Sequence, residues 1–206
     1  LYSGLEIVDN MIKYGADIID NCGESTRANF EKVSDEEEII RVVPIIKAVK
    51  EEVDIPVSID TYKAGTARKA LEAGADMVND VWGFKKEPEI AKVTAEFNVP
   101  CILTHNRENR KYNNLMNDVL MDLIDSIHIA MEAGVKRENI ILDPGIGFAK
   151  TYEENLTVMN NLEKIKTLEL PVLLGTSRKS MIGLALDTDV NNRLEGTIAT
   201  TVMGIM

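Results

Sequence analysis

Short apolar runs that stop abruptly at polar or ionisable residues recur along the chain, and the stretches between them carry helical periodicity. The runs at 17–22 (DIIDNC), 57–60 (VSID), 77–81 (MVNDV), 101–105 (CILTH), 140–143 (IILD) and 172–176 (VLLGT) predict six strands. The helix expected at 34–52 opens with the capping-box pattern Ser34-Asp-Glu-Glu37 and turns Ile39, Val42, Val43, Ile46 and Val49 inward, with Pro44 expected to kink or split it. A second long helix, near 114–133, places Val119, Leu120, Leu123, Ile127 and Met131 on one face. Gly15, Gly74 and Gly134 sit just past helical runs, where a residue without a Cβ is favoured, and Pro56, Pro100 and Pro171 open three strands. Helical patterns also stand at both ends of the sequence, Leu5 to Tyr14 and Val190 to Met206.

Strand-helix alternation implies a parallel sheet with right-handed crossovers, either a barrel or an open doubly wound sheet. An open sheet gathers its polar strand ends at one crevice, whereas a barrel turns every C-terminal strand end toward one mouth. Here nearly every strand ends in polar groups: Asp20-Asn21, Asp60, Asn79-Asp80, His105-Asn106, Asp143 and Thr176-Ser177. The expected fold is therefore a (β/α)8 barrel of the α/β class, with its first and last strands absent from this sequence. The junctions Gly15-Ala-Asp-Ile-Ile-Asp20 and Gly74-Ala-Asp-Met-Val-Asn79 nearly repeat each other, and no linker divides the chain, so residues 1–206 read as one domain.

Composition narrows the function. With 45% hydrophobic residues and a mean hydropathy of -0.08, the 206 residues can bury a sizeable core. No apolar run approaches the length of a membrane span and no signal peptide opens the chain, so a cytoplasmic location is expected. The net charge of -11 argues against nucleic-acid or anionic-membrane partners and makes any cation at a strand end informative. Cys22 and Cys101 lie in apolar runs and read as buried free thiols. His105 and His128 have no partners at metal-ligand spacing, which makes a zinc site improbable.

The candidate chemistry lies at the strand tips. Asp60 and Asp143 with Asn79 could hold a flat heterocycle, because an ionised carboxylate accepts two parallel hydrogen bonds from an amidine-like edge. Arg178 and Lys179 follow Gly175-Thr-Ser177 at the wrong helix end for cations, a cost that a bound anion or carbonyl oxygen would offset. Gly23-Glu-Ser-Thr-Arg27 lacks periodicity, as expected of a loop carrying an anion-binding Arg. Gly145-Ile-Gly147 lacks the spacing of a dinucleotide fingerprint.

Taken in order, Ala16-Asp-Ile-Ile-Asp…Gly-Glu-Ser-Thr-Arg27, Ser58-Ile-Asp-Thr-Tyr-Lys63, Asn79-Asp-Val-Trp-Gly83, Leu103-Thr-His-Asn106, Leu142-Asp-Pro-Gly-Ile-Gly-Phe148 and Gly175-Thr-Ser-Arg-Lys-Ser-Met-Ile-Gly183 resemble the dihydropteroate synthases of folate biosynthesis. The resemblance covers essentially the whole chain. It implies a transferase, usually dimeric, that condenses 6-hydroxymethyl-7,8-dihydropterin diphosphate with para-aminobenzoate and releases diphosphate with Mg2+. It further implies a pterin pocket of Asp60, Asn79, Asp143, Gly175 and Lys179, with Thr26, Arg27, Phe148 and Ser177 toward the aminobenzoate and diphosphate. Catalytic roles would fall to Asp60, Asp143, Lys179 and Arg27, with no metal ligand assigned. The sequence departs from the family in lacking the first strand's Asn and the last strand's Arg-x-His anion site, and in carrying Asn21-Cys22 and Ala28-Asn29 around the Arg27 loop. The alternatives are a pterin binder resembling the methyltetrahydrofolate-corrinoid methyltransferases, and a truncated, non-catalytic pterin-binding remnant.

Overall fold

The computed structural model describes residues 2–24 and 33–206. Its strands are β1 (Ile19–Cys22), β2 (Val57–Asp60), β3 (Met77–Asp80), β4 (Cys101–Thr104) and β5 (Ile140–Asp143), and they form one parallel sheet in the order β1-β2-β3-β4-β5. The helices are α1 (Tyr2–Lys13), α2 (Asp35–Glu52), α3 (Ala64–Glu72), α4 (Glu89–Phe97), α5 (Leu115–Glu132), α6 (Tyr152–Met159), α7 (Leu162–Lys166), α8 (Ser180–Leu186) and α9 (Leu194–Ile205). A sheet order that never reverses separates a barrel from a doubly wound sheet, whose order turns back at a switch point. The sheet is thus an arc of a (β/α)8 barrel.

Alternation along each strand divides the side chains between two faces. Val57, Ile59, Val78, Leu103, Ile140 and Leu142 face the helices and are buried. They meet Val42, Ile46 and Val49 of α2 and Val119, Leu123 and Ile127 of α5, all within one hydrophobic cluster. Full burial of such a side chain contributes about 1.5–3 kcal/mol, so this layer is what keeps the strand ends in place. The other face carries Cys22, Asp60 and Asn79 in one register row, and Thr104 beside Asp143 in another.

Several expectations change. The run at 172–176 forms only an isolated bridge, Leu142 with Val172, because its ladder consists of Leu142 N–H to the Pro171 carbonyl and Leu173 N–H to the Leu142 carbonyl. Pro44 does not split α2: it sits on the exposed side of an unbroken helix. Ser34 accepts from the Glu37 N–H at 3.2 Å, but the Glu37 carboxylate pairs with Arg41 instead of closing the box. Met131 is 45% exposed, since Ala130 takes the inward position one residue earlier. Cys22 is exposed on the open face of the edge strand β1, while Cys101 faces the helices and burial pushes its thiol up to about 12. The final helix is shorter than expected, a 3-10 turn at Val190–Asn192 preceding α9. Gly15, Gly74 and Gly134 do take positive φ beyond their helices.

Candidate active site

The C-terminal ends of β2, β3 and β5 bring Asp60, Asn79 and Asp143 to one end of the sheet's open face. Asp60 Oδ1 is buried with no hydrogen-bond partner among the described residues. Burial pushes its carboxyl up to about 8, with the charges of Asp20, Asp80 and Glu38 adding to the effect and Lys179 opposing it. An orphaned buried carboxylate oxygen is costly unless something supplies a donor. Asp143 is raised to about 6, again by burial first, against the pull of the Gly145 N–H and the charges of Lys179 and Lys150. Its Oδ1 accepts from the Gly145 N–H at 2.7 Å. A Cβ placed on Gly175 would lie 3.5 Å from Asp143 Oδ2, in ordinary contact with it, so Gly175 borders that carboxylate.

Lys179 is the cap residue of α8, and its Nζ lies 4.4 Å from the centroid of the Phe148 ring. Its charge acts on both Asp60 and Asp143, which places one cation near two raised carboxyls. Lys179, Phe148 and Ser177 line a cavity of about 980 Å³ together with Arg107, Arg110, Arg178 and Arg193. In a chain of net charge -11, this is a local concentration of positive charge suited to anions. Thr26 and Arg27 lie outside the described residues.

Four further residues shape the site although the sequence assigns none of them to it. Asp20 accepts from Asn79 Nδ2 at 3.1 Å and from the Ser58 hydroxyl, so it orients the Asn79 amide. Lys63 joins the two stretches flanking 25–32: its Nζ donates to Glu24 Oε2 at 2.6 Å, to the Val33 carbonyl at 2.6 Å and to Glu38 Oε2 at 2.8 Å. The Lys63 and Glu38 side chains are 7% and 1% exposed, and the neighbouring carboxylates hold the ammonium above its ordinary range. Lys63→Met leaves those carboxylates uncompensated, and chemical denaturation is expected to show about 3–5 kcal/mol of lost stability. His105 and Lys150 complete the set: His105 is fully buried between the Lys150 ammonium and Asp122. The alternating pattern hid these contacts because their partners are tens of residues apart in sequence.

Among the described residues no three His, Cys, Asp or Glu side chains form a metal-binding group, and no helix is long and apolar enough to cross a membrane.

The family profile described as "Pterin binding enzyme" matches residues 1–206. The dihydropteroate synthase of Clostridium beijerinckii is 68% identical over 199 residues, covering 97% of this chain and 74% of that protein. The Bacillus subtilis enzyme of the same name is 55% identical over 195 residues, covering 95% and 68%. Among solved structures, a Clostridium difficile dihydropteroate synthase in the presence of pteroic acid superposes with a TM-score of 0.95 at 48% identity, over 98% of this chain and 77% of the other. A Xanthomonas albilineans dihydropteroate synthase with 4-aminobenzoic acid gives a TM-score of 0.91 at 33% identity, over 96% and 72%.

Proposed function

This chain belongs to the pterin-binding enzyme family, as one of its dihydropteroate synthases, and we propose that Asp60, Asn79, Asp143, Gly175 and Lys179 form the pterin pocket of that transferase. The observation that carries the assignment is the buried, unpartnered Asp60 Oδ1 at the same end of the open face as Asp143. A pterin presents a row of N–H donors along one edge, and such donors would satisfy that oxygen while favouring the ionised form of both carboxyls. Asn79, its amide held by Asp20, contributes at the same row. The Lys179 ammonium would meet the pterin carbonyl edge.

In the reaction the arylamine nitrogen attacks the methylene carbon of the pterin, the carbon-oxygen bond breaks with its electrons passing to diphosphate, and the amine proton leaves to solvent or to the departing diphosphate. Positive character develops on the pterin methylene and negative charge on the leaving group. Asp60 and Asp143, fixed before the substrate arrives, stabilise the first; the cations of the adjoining cavity and Arg27 stabilise the second. Phe148 and Ser177 sit on the cavity side of Lys179, where an arylamine could be held in line with the methylene. Thr26 and Arg27 keep their expected roles near the aminobenzoate and the diphosphate.

Magnesium is proposed to arrive with the diphosphate oxygens, since the described residues provide no three-carboxylate or imidazole group to cage it. When bound it would neutralise leaving-group charge. We also read residues 1–206 as a single domain working in the cytoplasm as a homodimer. The dimer is supported by the apolar side chains that α8 and α9 leave exposed, among them Leu184, Leu186, Leu194, Ile198 and Val202. Release of diphosphate on adding both substrates, and not on adding either alone, tests the function. Pterin binding without turnover would instead favour a non-catalytic binder.

A further inference from the structure

Beneath the turn that joins Asp143 to α6 lies a buried ionisable cluster that the reaction above does not use. Lys150, two residues beyond Phe148, turns its ammonium back under that turn. Its Nζ lies 2.8 Å from His105 Nδ1, 3.0 Å from the Gly145 carbonyl and 3.1 Å from the Phe148 carbonyl. The two carbonyl oxygens can only accept, so two ammonium protons go to them and the third points at His105 Nδ1, which must carry a lone pair. The imidazole proton is then on Nε2, donated to Asp122 Oδ2 at 2.9 Å. Moving one proton along the Nζ···Nδ1 contact would give an amine and an imidazolium. Burial opposes that exchange, holding the imidazole down at about 4 while Lys150 lies at about 7.

The turn above is held from several sides. Gly145 donates its N–H to Asp143 Oδ1 at 2.7 Å and gives its carbonyl to Lys150. The Tyr112 hydroxyl donates to the Ala149 carbonyl at 2.9 Å, and Ala149 takes a φ of +50° that a residue with a Cβ seldom adopts without such support. Between them, Phe148 carries the ring that meets Lys179.

We propose that Lys150 is a positioning residue for the transfer reaction, setting Asp143 toward the pterin and Phe148 toward the arylamine through the Gly145 and Phe148 carbonyls, with His105, oriented by Asp122, as its fixed third acceptor. The proposal rests on the functional reading above. It also has an electrostatic side. Asp143 is faced by the cations Lys179 and Lys150. Lys150 is faced by Asp143, Asp122, Glu154 and Arg107. His105 is faced by Asp122, Lys150 and Lys85. Removing the Lys150 charge therefore raises the titration of Asp143 and of His105 together.

The test begins with the wild-type chain. Its two histidines make the 15N imidazole spectrum simple to assign with a His128→Gln control. At neutral pH the His105 ring is expected to show an unprotonated Nδ1 and a protonated Nε2; a protonated Nδ1 overturns the proposal whether or not the chain is active. In Lys150→Met, the His105 titration should move up, kcat/KM should fall on the order of 10²-fold, and the acid limb of the kcat/KM profile should move to higher pH. A merely structural role would lower the folded fraction and leave that limb in place. Should Lys150→Met fail to fold, His105→Leu and His105→Gln decide the matter. Leu removes the third acceptor and is expected to lose activity, whereas Gln, whose carbonyl can accept from the ammonium, is expected to restore most of it. A Gln variant no better than the Leu variant overturns the proposal. A wild-type chain that releases no diphosphate counts against the functional reading instead, because the imidazole spectrum is read without turnover.

Discussion

Asp60→Asn is expected to weaken pterin binding by about 10²–10³-fold while making the ligand-free chain more stable. The first effect follows from truncating one partner of a desolvated, charge-assisted contact, which costs about 2–5 kcal/mol: the amide offers its own N–H groups where the carboxylate accepted from the ligand's. The second follows from the titration. The Asp60 carboxyl lies at about 8 in the folded chain against an ordinary 3.8, so the folded state holds a proton that the unfolded state has released. Its contribution to stability is full below about pH 4 and is lost as the pH rises through about 8. Above that, an ionised and unpartnered carboxylate remains buried. Asparagine removes this dependence, and thermal or urea unfolding should favour the variant by about 1–3 kcal/mol near pH 8, with the gap closing near pH 4. Opposite signs in binding and stability are characteristic of a residue whose strain serves a ligand. Equal pterin affinity in the two proteins would remove Asp60 from the pocket.

Gly145→Ala is expected to damage the fold and the site together. Gly145 adopts a φ of +69°, and a Cβ built there would lie 1.9 Å from the His105 carbonyl oxygen. No side-chain rotation can relieve a clash between a Cβ and backbone. The β4 end would have to move away from the turn after β5, breaking the His105 N–H to Asp143 carbonyl bond of 2.8 Å that joins them. Alanine in the left-handed region alone costs about 1–2 kcal/mol, and the displaced backbone should bring the total to about 3–5 kcal/mol. Denaturant unfolding measures that loss. A variant within 1 kcal/mol of wild type would mean that the turn is looser than its contacts imply.

Much of this architecture is legible in the residues, for identifiable reasons. Buried parallel strands read as apolar runs, which is why 57–60, 101–105 and 140–143 mark β2, β4 and β5 to within a residue. The run at 172–176 reads equally well, yet whether an apolar run becomes a strand depends on partners that lie elsewhere in the chain, and here only the bridge at Val172 forms. Cys22 differs from its expected burial for a related reason: the run it closes is apolar only at Ile18 and Ile19, and it sits on the open face of an edge strand beside Asp60. Asp60, Asn79 and Asp143 are visible because a polar group at a strand tip breaks a pattern. Lys150 breaks no local pattern, and His105, although it ends the run at 101–105, shows nothing of its role there, since the contact between the two spans 45 residues. The sequence singled out Phe148 and Asp143, while the lysine that sets both was recognisable only once the turn between them had a shape.

The central claim is that carboxylates from separate strands hold one planar, nitrogen-rich guest. A crystal structure of this chain with a bound pterin tests it most directly. The ring is expected between β2 and β5, with N–H groups of its edge on Asp60 Oδ1 and on the Asp143 carboxylate. A ring seated elsewhere, with Asp60 Oδ1 still lacking a donor, would contradict it.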